Sequence, residues 1–320
     1  MAVNRDKPNR WKKDIAESVD LYNNWFIDFA PKAFRDTRQQ TAKDVQETLH
    51  VTENLSNVAP AVLRANPGIL PTLRMCTCPP LARDRLTGLS GAAKGLIDRM
   101  ETEQKLPIHI TSAKLDKQLQ KIGDIIQRLA DGDILTWLAA KSVPGEAEIY
   151  RAATVIADRL CGATSDPIIR NAQEQRQLHV IAEWLDARGY NRLPTGSGTK
   201  FGEIEPGWYA FRLNVPVRLA ETGKSVNVPA DAVVMPRRAA PRALPLLIEA
   251  KSAGDFTNVN KRRKEEAQKI GQLRKTYGPR IQYILFLCGY FDSGYLGYEA
   301  AEGIDWVWEH RIDDLAKFGL

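Results

Sequence analysis

Leu244-Pro245-Leu246-Leu247-Ile248-Glu249-Ala250-Lys251-Ser252 is an apolar run that turns polar at its end. Its length and composition predict a buried strand. Side chains alternate faces along a strand, so Glu249 and Lys251 emerge together on one face and Ile248 and Ala250 on the other. A carboxylate and an ammonium at the end of a buried strand are costly to desolvate unless they have partners or work. Upstream, Pro229-Ala230-Asp231-Ala232-Val233-Val234 reads as a second strand carrying an acid. The intervening Pro236 to Pro241 loop folds the two into a hairpin that brings Asp231 towards Glu249.

Working outward, Trp208 to Val217 and Ile281 to Leu287 are further strands, with Glu221-Thr222-Gly223-Lys224 as a turn before Val226. A polar helix runs from Val259 to Tyr277, and another from Pro167 to a glycine stop at Gly189. The earlier half reads as helical, with turns at Asn66-Pro67-Gly68, Cys78-Pro79-Pro80 and Pro144-Gly145. Leu119, Ile122, Ile126 and Leu129 repeat at three- and four-residue steps, Pro31 interrupts the first helix, and Gly162 to Pro167 reads as a link. The predicted architecture is α/β: a mixed central sheet flanked by helices, with a helical N-terminal region. The expected division is a helical region over residues 1–162 and a core over residues 163–320.

Composition narrows the class. The chain has 320 residues, 43% apolar and 26% charged, and can bury a core without disulfide staples. Four scattered cysteines make no secreted disulfide framework. The N-terminal stretch lacks an apolar signal core, and no apolar run approaches the roughly 20 residues of a membrane span. The expectation is a cytoplasmic protein. The net charge is +6, and residues 251–280 carry all of it, with nine bases against three acids. A basic segment of this kind points to a polyanionic partner, although a solvated helix face has the same composition.

Two carboxylates and a lysine suit phosphodiester hydrolysis. Asp231 and Glu249 are hard oxygen donors for a divalent cation such as Mg2+, and Lys251 is placed to orient or activate a water and to offset transition-state charge. An acid-x-Lys on a strand is weak evidence by itself. The strand acid before it, the apolar run and the basic helix after it strengthen the case.

This pattern resembles the PD-(D/E)xK nuclease core. The segment from Ile248-Glu249-Ala250-Lys251 through Thr257-Asn258-Val259-Asn260-Lys261-Arg262-Arg263-Lys264-Glu265-Glu266 looks like type II restriction endonuclease sequence. Leu70 to Pro80 looks like the XamI-type restriction endonuclease family, and Gly303 to Arg311 like a restriction endonuclease closing segment. The resemblance spans most of the chain. It implies a Mg2+-dependent type II restriction endonuclease cutting double-stranded DNA, with GTCGAC as the target. It implies Asp231 and Glu249 as metal ligands, Lys251 as the catalytic lysine, and a further acid from the helix before the sheet. Glu174 is the candidate for that acid and Glu183 the alternative. In the family pattern proline directly precedes the first acid, whereas here Ala230 separates Pro229 from Asp231. Asn258, Asn260, Lys261, Arg262, Arg263 and Lys264 are the expected DNA contacts, with at least one asparagine a helix cap. A palindromic target implies a homodimer, and a restriction enzyme implies a host-protecting DNA methyltransferase. The helical half is assigned dimer contacts, DNA contacts or both. The competing readings are a structure- or damage-directed nuclease with the same core, and a non-catalytic DNA-binding protein.

Other signals carry less. Cys76-x-Cys78 has no second pair of ligands for zinc. Gly223-Lys224-Ser225 lacks the glycine that a P-loop requires upstream. His50, His109, His179 and His310 are dispersed.

Overall fold

The computed structural model describes residues 2–194, 196–218, 223–259 and 263–320, with only the backbone described at 163–166, 258, 259 and 263. The helices are α1 (Pro8–Val51), α2 (Pro60–Ala65), α3 (Leu70–Met75), α4 (Arg83–Ser90), α5 (Lys94–Thr102), α6 (Ser112–Arg128), α7 (Thr136–Ala140), α8 (Glu146–Asp186), α9 (Phe256–Val259), α10 (Arg263–Tyr277) and α11 (Ser293–Ala301). The strands are β1 (Asn191–Arg192), β2 (Trp208–Arg218), β3 (Ser225–Val234), β4 (Leu246–Ala253), β5 (Gln282–Gly289) and β6 (Asp305–Trp308).

The six strands form one mixed sheet in sequence order. β2, β3 and β4 pair antiparallel, and β4, β5 and β6 pair parallel. The four predicted strands correspond to β2 to β5. The expected Glu221 to Lys224 turn includes residues outside the described set. β5 is buried from Tyr283 onward, as expected of a parallel strand covered on both faces. On one face, Val233, Leu247, Leu285 and Leu287 meet Ile270 and Leu273 of α10. On the other, Ala232, Ile248, Ile284 and Phe286 meet Ile181, Trp184 and Leu185 of α8.

The chain divides into two compact units, residues 31–169 and residues 1–30 with 170–320. The first 30 residues therefore pack with the sheet rather than with the helical region that follows them. The reason is a set of specific contacts. The Asp305 carboxylate accepts the backbone N–H groups of Val3, Asn4 and Arg5 at 2.6, 3.0 and 3.1 Å. Trp11 meets Trp306 edge-on at 5.5 Å, and Arg311 pairs with Asp14 at 2.8 Å. The helical unit has its own core, in which Leu119, Ile122 and Ile126 are buried with Leu49, Leu63, Leu73 and Trp137.

Two expected breaks are absent. Pro31 lies inside α1, and Gly162 to Pro167 lies inside α8, so neither helix ends there. An interior proline loses one hydrogen bond and clashes with the carbonyl four residues back, at about 3 kcal/mol. Buried residues on both sides, such as Tyr22 and Leu49 in α1, anchor the flanking turns and offset that cost. The predicted boundary at 162/163 falls within α8. Of the predicted Val259 to Tyr277 helix, Val259 ends α9 and Arg263 to Tyr277 form α10, with residues 260–262 outside the described set.

Candidate active site

β3 and β4 pair only over Ala232–Val234 and Leu246–Ile248. Beyond that point no backbone partner meets the next inward N–H of β4. The Asp231 carboxylate takes its place, accepting the Ala250 N–H through Oδ2 at 2.8 Å. The strands part where the chemistry-bearing residues begin, and the first acid holds the gap.

Glu249 and Lys251 share a face of β4, as the alternation predicts. Lys251 Nζ lies 3.1 Å from Glu249 Oε1 and 2.8 Å from Glu266 Oε1. Lys269 Nζ reaches the other Glu249 oxygen at 2.7 Å. The Tyr283 hydroxyl donates to Glu266 Oε2. On the opposite face of the sheet, Gln177 Nε2 donates to the carbonyls of Lys251 and Phe286, both at 3.3 Å, and so pins β4 to β5.

The electrostatics follow from burial. Desolvation, with the Glu249 charge adding to it, pushes Asp231 up to about 6. Desolvation opposes the Lys251 charge, yet Glu249 and Glu266 outweigh it and hold the ammonium well above the usual lysine range. Lys251 is therefore a protonated donor in this arrangement rather than a base. Behind it, burial, with Glu266 and Glu302 adding, pushes Glu299 up to about 8. This predicts a pH-dependent stability. The favourable term from protonated Glu299 is full below about pH 4.3 and is lost as pH rises through about 8. A Glu299→Gln variant should remove most of that fall in melting temperature between pH 6 and 9; an unchanged slope would refute the assignment.

Asp231 and Glu249 supply a hard-oxygen donor pair. The burial and the Glu249 charge that push Asp231 up are what a divalent cation would offset, so the residues present fit one. Glu174 acts on Asp231 electrostatically, but its carboxylate is taken by Arg212 at 2.7 and 3.1 Å. Glu183 lies elsewhere on α8, 3.3 Å from His179. Among the described residues, the three-ligand group whose ligand atoms lie within 4.8 Å is Asp14, Glu17 and His310. Arg311 already occupies Asp14 in that group.

Of the expected DNA contacts, Asn260, Lys261 and Arg262 lie outside the described residues. Asn258 falls in α9 and Arg263 opens α10. Lys264 is exposed on α10. Glu266 and Lys269 escaped the sequence reading, which attended to the basic face of this helix. The available signal was periodicity: Glu266, Ile270, Leu273 and Tyr277 step by four, three and four along one stripe, placing an acid on the apolar face.

Comparison with known proteins identifies the family of the chain. Residues 53–308 match the family model of the XamI restriction endonuclease. The chain is 52% identical over 317 residues, 99% of each chain, to the type II restriction enzyme SalI of Streptomyces albus G. No solved structure matches. No helix among the described residues is long and apolar enough to cross a membrane. The chain belongs to the XamI restriction endonuclease family and is a type II restriction enzyme, a site-specific deoxyribonuclease that acts on double-stranded DNA, of a class that generally uses a divalent metal.

Proposed function

We propose that the chain cuts double-stranded DNA at GTCGAC in a Mg2+-dependent reaction centred on Asp231, Glu249 and Lys251. The observation that carries this reading is the convergence of those side chains where β3 and β4 part. Asp231 and Glu249 are the residues to hold the cation. Bound there, Mg2+ supplies polarisation of the phosphate and a water of lowered pKa.

The protein's own residues do the rest. Lys251, kept protonated between Glu249 and Glu266, donates to the attacking water or to an oxygen gaining charge in the transition state. Glu266, itself bound by Tyr283, fixes the lysine along one line of approach. Lys269 neutralises the second Glu249 oxygen. Asn258, Asn260, Lys261, Arg262, Arg263 and Lys264 precede or open α10 and are assigned to DNA, with the cations on phosphates for affinity and register. Glu174 adds a third acid beside Asp231. Recognition of a palindrome calls for a two-fold homodimer, with the helical unit of residues 31–169 contributing to that interface or to DNA. A methyltransferase protecting the same sequence is the functional partner, and the bacterial cytoplasm is the setting.

Digestion of a sequenced plasmid with Mg2+ tests this reading. Discrete bands whose ends map to GTCGAC are expected. Smears or branch-dependent cuts would favour a structure-directed nuclease, and binding without cutting would favour a non-catalytic role.

A further inference from the structure

We propose that Arg212 is a phosphate-gripping residue of the cleavage site, held on Glu174 in the free protein and transferred to a non-bridging oxygen of the DNA strand being cut. The inference rests on the site reading above.

The first observation is backbone geometry. Arg212 lies within β2 at φ +52°, in the left-handed region that a residue with a Cβ enters at a cost. The β2–β3 ladder pairs Phe211 with Ala232 and Leu213 with Ala230, and skips Arg212 and Asp231 between them. The strained residue therefore sits across from the acid that holds the strand gap on the other side of β3. An outlier of this kind next to reactive groups is where stored strain serves function. Its effect is to break the regular alternation and re-aim the guanidinium.

The second observation is accessibility. The Lys251 and Lys269 side chains are each only 18% exposed and are committed to Glu249 and Glu266. The Arg212 side chain is 56% exposed, and its partner Glu174 is 34% exposed. A half-exposed ion pair costs little to break. A phosphate diester offers the guanidinium a planar, two-pronged match at least as good as a carboxylate. The ladder sets Arg212 opposite Asp231, which places its guanidinium, and the Glu174 that holds it, beside the site rather than remote from it. Transfer of Arg212 to DNA also frees Glu174 on the Asp231 side of the site, so substrate arrival adds an acid to the set.

The test uses the full-length enzyme, Mg2+, and a duplex carrying the sequence mapped in the plasmid digest. Single-turnover cleavage at saturating enzyme should fall about 100-fold in Arg212→Ala and Arg212→Gly. Arg212→Lys should recover about tenfold of that, since it keeps the charge and loses the fork. Arg212→Gly should melt no lower than the parent, because glycine takes φ +52° without strain. Of the two phosphorothioate diastereomers at the cut, the one that puts sulfur where Arg212 grips should slow the parent enzyme and slow Arg212→Ala clearly less, a coupling that a purely structural role would not produce. Parent-like cutting by either neutral variant, or a lysine variant as slow as alanine, would overturn the proposal. Lys251→Ala is run in parallel. If it cuts normally, the whole site reading falls; if it is inactive while Arg212→Ala is fully active, Arg212 alone falls.

Discussion

Lys251→Ala is expected to lose cleavage by about 1,000-fold and to melt on the order of 10 °C lower. The two effects have one cause. Lys251 Nζ bridges the buried Glu249 and Glu266 carboxylates at 3.1 and 2.8 Å. Removing the cation leaves Glu266 with the Tyr283 hydroxyl and Glu249 with Lys269. Breaking a buried pair in this way costs about 3–5 kcal/mol, mainly through the uncompensated charge left behind. A double variant separates chemistry from folding. Lys251→Met with Glu266→Gln removes both charges while keeping a polar partner for Tyr283. It should recover most of the melting temperature and none of the cleavage. DNA binding, measured by fluorescence anisotropy in EDTA, should change little in either variant. Recovery of cutting in the double variant would exclude Lys251 from catalysis.

Asp231→Asn should abolish cutting and, without metal, raise stability. The sign follows from the folded-state pKa of about 6 against about 3.9 for an unfolded aspartate. The stability contributed by protonated Asp231 is full below about pH 4 and is lost as pH rises through about 6. At neutral pH the ionised group therefore destabilises the metal-free fold by on the order of 2 kcal/mol. Asparagine removes that charge and still offers an oxygen to the Ala250 N–H, which Asp231 now meets at 2.8 Å. In EDTA at pH 7.5 the variant should melt about 5 °C above the parent. Added Mg2+ should raise the parent's melting temperature and leave the variant's unmoved, since ligands stabilise only what they bind. A lower melting temperature in EDTA, or an equal Mg2+ response, would contradict Asp231 as a metal ligand.

Much of the site was legible before the fold. β4 and its Glu249–Lys251 face follow from an apolar run and the two-residue period of a strand. The proximity of Asp231 follows from the short Pro236 to Pro241 connection between two strand patterns. Helix boundaries were less legible at Pro31 and Pro167, because a local helix-breaking preference yields to packing on either side. The partner of Lys251 was hidden for a related reason. Glu266 follows a run of bases and reads as part of a solvated surface, yet α10 turns it inward onto the sheet, where it is 2% exposed.

By itself, then, the sequence determined the β4 strand, the shared face of Glu249 and Lys251, the placing of Asp231 on the neighbouring strand and the family. These are features of local period and short connection. Tertiary structure alone decided that residues 1–30 join the sheet, that Lys251 is clamped by Glu266, and that Arg212 rests on Glu174 across from Asp231. Each of those depends on contacts between residues far apart in the chain, set by which faces the helices bury and where a strand ladder is interrupted. Local spacing encodes neither.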